Sequence, residues 1–483
     1  MRTLIAGCFA CCLGISFALA QNRTLLYDFT EIPQSLMVNP GAHVGYQWHA
    51  GVPFVSGIGV HAGSSGVTVQ DIFADDGLDI NDKIRQRAVN GMDPSDEFSS
   101  TFQVELLSGG FRSRNHPENF YSFGIYTESD AIGYWLGDLA ILAWEGNADQ
   151  LGRRFDLSHL SARGEMLNVF HFGVNREMND RLTLGARGKI YSGIFDLRST
   201  RNQGYFVTVE GQDNLLANTL DSDMRVQTSG LEGLRRKLEV EGVDETAELQ
   251  NHILSRGFFG GDLGVGVDLG FTYQLGERLF LTGSLLDLGF MVHHSDVRNF
   301  SLEGRATSEG VQIILPDALE DPDQDFWQDF VDEIEALLPF EEDGKTYLAF
   351  RPTKLYASIR YNTGGKERPS EPCYCDYRTG GPPDSQPYTN AFGGQLFMIN
   401  RPRGPQAALT AFYQRRVGNV LAFKATYTID KFSATKLGLG MNLQAGPVEF
   451  YLLADNLLAY QNLADAHYAS LLFGLNILSW GRN

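Results

Sequence analysis

Long apolar segments are absent from most of this chain. Beyond Ala20, no apolar run reaches the roughly 18–20 residues that a membrane-spanning helix needs. This absence excludes a bundle of transmembrane helices. Because lipid offers no partners to backbone N–H and C=O groups, a closed β-barrel is the other way in which such a chain can cross a bilayer.

Cysteine and basic residues are also scarce. Of the five cysteines, Cys8, Cys11 and Cys12 lie near the start, and only Cys373 and Cys375 follow. This excludes a disulfide-built fold, and we interpret the later pair as loop thiols or a local disulfide, with metal binding as the alternative. The 39 Lys and Arg are outnumbered by 59 Asp and Glu. The net charge of −20 argues against a nucleic-acid partner, because phosphates are bound by basic patches.

Motifs of catalysis and cofactor binding are missing as well. The sequence contains no G-x-S-x-G and no H-E-x-x-H, and the neighbours His293 and His294 would point to opposite faces of a strand. The acidic stretch 321–325 begins like a calcium loop, but Phe326 stands where glycine is required. His171 is expected to face inward without a catalytic partner. We therefore predict no enzyme, no cofactor and no metal site.

The first 20 residues have the pattern of a secretory signal peptide. Arg2 supplies the positive charge, residues 3–17 are mostly apolar and small, and Ala18-Leu19-Ala20 forms an A-x-A cleavage site. We predict cleavage before Gln21 and export to the outer membrane.

What the sequence does contain is period-two alternation in segments of about ten residues, which is typical of transmembrane β-strands. The clearest segments are 182–194, 354–361, 420–430, 433–443 and 448–456. They are longer than the five or six residues of an ordinary strand, and aromatic residues lie near their ends. We predict an all-β fold, a transmembrane antiparallel β-barrel of about 14 strands. A secreted β-sandwich or jelly roll is the alternative.

Short turns alternate with long connections, which is the outer-membrane arrangement with short turns in the periplasm. The turns at 177–181 and 275–278 are short and polar, whereas 196–262 and 289–352 are long loops. Apolar residues at helical spacing predict helices at 131–147, 231–240, 245–254 and 325–338.

Counting strands back from the C-terminus places that terminus and an insertion at 364–388 in the periplasm. At the N-terminal end, four segments are predicted as separate strands. With these four, the barrel has one strand too many or too few for strand directions to alternate up to an even total. These segments are 43–52, 56–63, 99–108 and 119–127.

Several motifs resemble those of FadL-like long-chain fatty-acid outer-membrane transporters. Asn39-Pro40-Gly41 resembles the Asn-Pro-Ala of their N-terminal hatch, with Gly41 in place of alanine. Residues 178–186 (MNDRLTLGA) resemble their strand–turn–strand signature, which the secretion-associated barrels of Bacteroidota share. The closest resemblance is to an uncharacterised Bacteroidota barrel family, through 351–356 (RPTKLY), 437–441 (LGLGM) and 446–451 (GPVEFY) followed by 454–456 (ADN). The ending Trp480-Gly481-Arg482-Asn483 departs from their terminal aromatic residue.

The resemblance implies a hatch at 21–42 that plugs a barrel formed by 43–483. Alternation assigns a basic set to the lumen: Arg187, Lys189, Lys354, Arg360, Lys424 and Lys436. Buried charges need partners. A carboxylate ligand is one candidate, and pairing with Glu449, Asp455, Asp28 and Glu31 is the alternative that we favour.

Two functions are therefore open. The resemblance implies a channel for hydrophobic or amphiphilic small molecules, with outer-membrane lipid and a hydrophobic or carboxylate ligand as partners. The alternative is a non-transporting scaffold that holds secretion or surface-assembly proteins. A continuous apolar pocket behind the hatch would favour transport, whereas a lumen filled with paired charges would favour the scaffold.

Overall fold

The computed structural model describes residues 24–211, 216–240, 242, 244–309, 341–364, 388–418, 420–432 and 436–479. The predicted signal peptide, the helix predicted at 325–338 and most of the predicted insertion at 364–388, with Cys373 and Cys375, lie outside these residues.

The chain forms a closed antiparallel β-barrel with 14 strand positions in its wall, as the alternation predicted. The last strand pairs with the first, so the ring closes. Short turns lie at one end and long connections at the other, which we assign as the periplasmic and extracellular ends. The strands are β1 Trp48–Gly51, β2 Ile58–Ser64, β3 Glu97–Arg112, β4 Asn119–Tyr134, β5 Arg154–Asp156, β6 Ala162–Asn179, β7 Leu182–Glu210, β8 Leu216–Ser229, β9 Asp262–Gln274, β10 Leu279–His293, β11 Val297–Glu309, β12 Glu341–Asp343, β13 Tyr347–Phe350, β14 Lys354–Thr363, β15 Asn390–Arg401, β16 Gly404–Val417, β17 Leu421–Ile429, β18 Lys436–Ala445, β19 Val448–Asp455 and β20 Tyr468–Ser479.

Each wall strand has one lipid face and one lumen face. In β9, Val265 and Leu269 are 51% and 46% exposed, whereas Asp268 between them is fully buried. At the periplasmic end, Phe392 stacks between Tyr361 and Tyr413 on the outer surface. Such an aromatic row is typical of a membrane interface.

The first wall position is a single strand in two pieces, and this corrects the strand count at the N-terminal end. β1 and β2 both pair with β3 on one side and β20 on the other. The segments 43–52 and 56–63 were predicted as two strands, because alternation holds in both. Residues 52–57 leave the sheet between them, with Phe54 at a positive φ of 63°. When these two segments are counted as one strand, the wall has an even total of 14 strands.

The long connections contain a second sheet, which the sequence did not predict. β7 continues beyond the barrel wall and pairs there with β8, and β8 pairs with β11. β5 and β12 add short edges. The sheet has its own apolar core, which consists of Leu142, Phe155, Leu157, Phe206, Leu220 and Leu302.

The helices are short and lie in the hatch and the extracellular connections. They are α1 Ser35–Val38, α2 Val69–Phe73, α3 Ile80–Lys83, α4 Asp138–Glu145, α5 Glu232–Leu238 and α6 Glu245–Ser255. The last two match predicted helices. The helix predicted at 131–147 is wrong in its first part, because β4 continues to Tyr134 and pairs with β3 there. Among the described residues, no helix is long and apolar enough to cross a membrane.

Candidate functional site

Residues 24–42 lie inside the barrel and fill it, at the place where the hatch was predicted. The side chains of Leu25, Leu26, Tyr27, Phe29 and Ile32 are at most 2% exposed. They pack against lumen-facing residues of the wall, which are Leu286, Tyr356, Phe397, Ile399, Ala408, Ala422, Tyr451 and Leu453. The hatch thus supplies the barrel with an apolar core.

Wall side chains bind the backbone carbonyls of the first part of the hatch. Lys424 donates to the carbonyl oxygens of Thr24, at 3.1 Å, and Tyr27. Arg360 and Gln414 both donate to Asp28 O, at 3.2 and 2.9 Å. Because buried carbonyls need partners, these donors replace the bonds that secondary structure would otherwise supply.

The second part of the hatch is held in the same way by other strands. Arg187 donates to Leu36 O at 3.1 Å and to Met37 O at 2.6 Å. Ser284 Oγ donates to Val38 O at 2.6 Å. The segment Asn39-Pro40-Gly41 is bound through Asn175, which donates to Pro40 O and Ala42 O, and through Thr272, which donates to Gly41 O.

Two glycines on neighbouring strands make room for this segment. Gly185 in β7 and Gly270 in β9 lie directly opposite each other. A Cβ on Gly185 would meet Pro40 O at 2.0 Å, and a Cβ on Gly41 would meet Gly270 O at 2.5 Å. Gly41, which departs from the alanine of the resembling family, is thus required by the close approach of the hatch to the wall.

Beside the hatch lies a buried ionic cluster centred on two aspartates. Asp268 accepts from Arg187 at 2.6 Å and from Lys189 at 2.9 Å. Asp287 accepts from Lys189 at 2.6 Å and from Lys354 at 3.0 Å. All five side chains are at most 8% exposed. Pairing offsets the desolvation of each charge, which is costly in a site without bulk water.

The cluster continues along the lumen toward the extracellular end. Lys354 and Arg351 both contact Glu128, at 3.4 and 3.2 Å, and Arg351 also pairs with Glu165. A line of alternating charges therefore joins the hatch to the base of the extracellular sheet.

Asp287 enters the lumen through a bulge in β10. The register with β9 shifts between Leu285 and Leu288, and Asp287 has a positive φ of 58°. The bulge buries Leu286 and Asp287 together, although they are neighbours. The backbone N–H of Asp287 donates to Asp268 Oδ1 at 2.7 Å, which fixes the two carboxylates relative to each other.

The structure places all six predicted lumen cations inside the barrel, but not in one site. Arg187, Lys189 and Lys354 belong to the ionic cluster. Arg360 and Lys424 bind the hatch. Lys436 pairs with Asp430 at 2.5 Å, at the extracellular end of the lumen. Their role in binding a ligand stays a prediction.

The predicted carboxylate partners were right only in part. Asp455 interacts electrostatically with Lys424 and Lys436, and Asp28 with Lys424. The close ion pairs of the predicted cations are instead formed with Asp268, Asp287, Glu128 and Asp430. Of the hatch acids, Glu31 pairs with Arg416 and Asp28 offers its backbone carbonyl. A lone acid on the lumen face of an apolar strand is a sequence signal that could have identified Asp268. No such signal exists for Asp287, whose orientation depends on the bulge.

A small cavity lies between the hatch and the wall, next to the interrupted first strand. It has room for little more than a water molecule. His49 Nδ1, His171 Nδ1 and Ser108 Oγ are buried there without a hydrogen-bond partner in the described structure. The remaining lining residues are Pro33, Gln34, Leu36, Met37, Glu105, Gly109, Ser122, Phe123 and Arg187.

The histidine pair at 293–294 serves a structural role. His293 Nδ1 lies 2.9 Å from Asp262, and its ring stacks on Tyr347. Within the described part of the chain, no group of three or more His, Cys, Asp or Glu side chains is arranged to hold a metal ion.

Several solved structures are similar to this chain. The toluene transporter TodX of P. putida is 9% identical, with a TM-score of 0.36 and 97% of each chain covered. The toluene transporter TbuX of Ralstonia pickettii is 10% identical, with a TM-score of 0.37 over 92% of this chain and 94% of that one. A FadL homologue of Pseudomonas aeruginosa is 9% identical, with a TM-score of 0.36 over 94% and 95%.

Among curated proteins, none matches the chain. The model of the family of unknown function DUF5723 matches residues 40–455, from the hatch motif to the end of β19, and the chain belongs to this family.

Proposed function

We propose that this barrel is a hatch-gated channel of the outer membrane for hydrophobic or amphiphilic small molecules, exported by a signal peptide that is cleaved after Ala20. The observation that carries the proposal is the cavity between the hatch and the interrupted first strand. It touches hatch residues Gln34 and Met37 on one side and the outward-facing Phe123 on the other.

The wall is irregular beside this cavity. Residues 52–57 interrupt the regular ladder, although Val52 and Val55 still bond to Leu475 of β20. Phe54 and Val55 are 61% and 39% exposed. Across from them, Ser108 and Gly109 of β3 present little side-chain bulk to the cavity. A molecule dissolved in the bilayer could reach the hatch here without passing the charged extracellular connections.

The conformation described is closed. The hatch is held by individual hydrogen bonds to its carbonyls, each contributing on the order of 1 kcal/mol, and by apolar contacts. These contacts are reversible, so passage requires that the hatch shifts while the barrel stays intact.

The scaffold function remains the second candidate, because the lumen is filled with paired charges around the hatch. The extracellular extension of the sheet favours it too, since a sheet with its own apolar core offers a rigid surface to a partner. A scaffold would not need the cavity.

The test fills the cavity. Ser122 lines it, so Ser122→Leu is expected to reduce uptake of a radiolabelled long-chain fatty acid by cells that lack their own outer-membrane fatty-acid channel. Gly133→Leu on the same strand is the control, since a Cβ there meets no atom within 4 Å. Equal uptake by both variants and by cells without the barrel would favour the scaffold.

A further inference from the structure

An extracellular connection folds down over the outer surface of the barrel wall. α6 leads into residues 256–261, which lie against β6 and β7 and then enter β9. Asn168 and Ser192, which these residues cover, lie on the lipid face by alternation: their neighbours Val169 and Tyr191 pack into the lumen core. The segment therefore lies outside the wall, at its extracellular end.

The segment forms hydrogen bonds with both of these polar residues, and Asn168 Oδ1 also accepts from Thr127 Oγ1 of β4 at 2.7 Å. Asn168 Nδ2 donates to Gly257 O at 3.0 Å, and Ser192 Oγ donates to Arg256 O at 2.9 Å. In return, Phe259 N donates to Ser192 Oγ at 2.9 Å. Exposing the polar groups of Asn168 and Ser192 to hydrocarbon without hydrogen-bond partners would cost free energy. Beneath the segment, both side chains are at most 3% exposed.

Two aromatic side chains project from the segment onto the lipid face. Phe259 stacks on Phe170 of β6 at 4.5 Å between ring centres, and Phe258 meets the same ring edge-on at 6.0 Å. Both remain about half exposed, Phe258 at 47% and Phe259 at 51%. Phe259 adopts a positive φ of 68°, which is strained for an aromatic residue.

We infer that residues 256–261 form a lipid-inserted anchor, whose partner is the acyl chains of the outer leaflet. The aromatic pair continues the apolar band of the wall, where Phe172, Ile190 and Val265 are 48–53% exposed. Covered by lipid, the exposed ring surface would be removed from water, which offsets the strain at Phe259. The anchor holds α6 and the base of the extracellular sheet at the membrane surface, whatever the barrel admits.

The anchor can be tested by photo-crosslinking in cells. Phe259 is replaced by p-benzoylphenylalanine, an analogue that abstracts hydrogen from nearby C–H groups. Ile190, on the lipid face of β7, is the positive control. Val209, which is exposed on the extracellular part of β7, is the negative control. Faster gel migration of unheated samples verifies that each variant has folded.

We expect a lipid adduct, seen as a mass increase of the purified barrel, at positions 259 and 190 and not at 209. The inference would be overturned if the folded variant at position 190 gave the lipid adduct and the folded variant at position 259 gave none. So would an adduct of position 259 to another protein, because a protein partner would then cover the aromatic pair.

Discussion

At the scale of single residues, the lumen depends on a few carboxylates whose positions are set by the backbone. Asp287 lies between Lys189 and Lys354 because the bulge in β10 turns it inward. Removing one partner from a buried ion pair leaves the other charge without compensation, whereas exposed pairs contribute little.

We therefore expect Asp287→Asn to lower the free energy of unfolding by about 3–5 kcal/mol. Asparagine tolerates a positive φ, so the substitution tests the charge and leaves the bulge intact. Asp223→Ala is the control, since Asp223 pairs with Arg201 at 3.5 Å on an exposed surface. The measurement is denaturant unfolding in lipid vesicles, and equal losses in the two variants would contradict the expectation.

At the scale of elements, the hatch approaches β7 and β9 closely. Gly185 has no room for a side chain, because Pro40 O would lie 2.0 Å from its Cβ. On the same strand, a Cβ on Gly188 would come no nearer than 4.0 Å to another atom.

Gly185→Ala is expected to displace the hatch at a cost of about 1–3 kcal/mol, as overpacking does. Faster amide hydrogen exchange over residues 36–44 would report the displacement. Gly188→Ala should leave exchange in the hatch unchanged. Unaltered exchange in Gly185→Ala would mean that the hatch does not approach β7 as closely as described.

The position of another element, the helix α5, depends on charge. Hydrogen bonds from Arg235 and from Arg298 of β11 lower the pKa of Glu232 to about 2. Because this pKa lies below the ordinary carboxyl value, the stabilisation is fully present above about pH 4.3 and is lost as pH falls toward 2.

Glu232→Gln should thus speed amide exchange in residues 232–238 at pH 6, relative to the unsubstituted protein. Below pH 2 the difference should disappear, since Glu232 is then largely protonated and as neutral as the glutamine of the variant. A difference that persists at low pH would show that the carboxylate charge is not what holds α5.

The sequence predicted the strands better than their interruptions. Alternation reports which face a side chain takes, and it holds on both sides of residues 52–57, so one broken strand looked like two. The extracellular sheet was missed because β7 runs through the membrane boundary into it without a turn. Ion-pair partners such as Lys354 and Glu128 lie on strands far apart in sequence, and their meeting depends on the stagger of the whole ring.

At the scale of the whole molecule, closure of the ring gives the barrel its resistance to unfolding in detergent. Backbone hydrogen bonds link all 14 positions, and the hatch core fills the interior. A closed barrel whose interior contains such an apolar core should remain folded in sodium dodecyl sulfate at room temperature.

We expect unheated protein to migrate faster in a gel than boiled protein, because the folded barrel is compact. Mass spectrometry of lipids extracted from the purified barrel then separates the two candidate functions. A co-purifying amphiphile supports the channel, whereas a shift without one favours the scaffold. Absence of any shift would contradict the barrel.

The way in which the hatch is bound has a consequence for biogenesis. Many of its carbonyls accept hydrogen bonds from side chains of eight consecutive strands of the wall, which are β6, β7, β9, β10 and β14 to β17. None of these partners is in place until the strands have assembled around it. The segment that leaves the ribosome early is therefore among the last to acquire its structure.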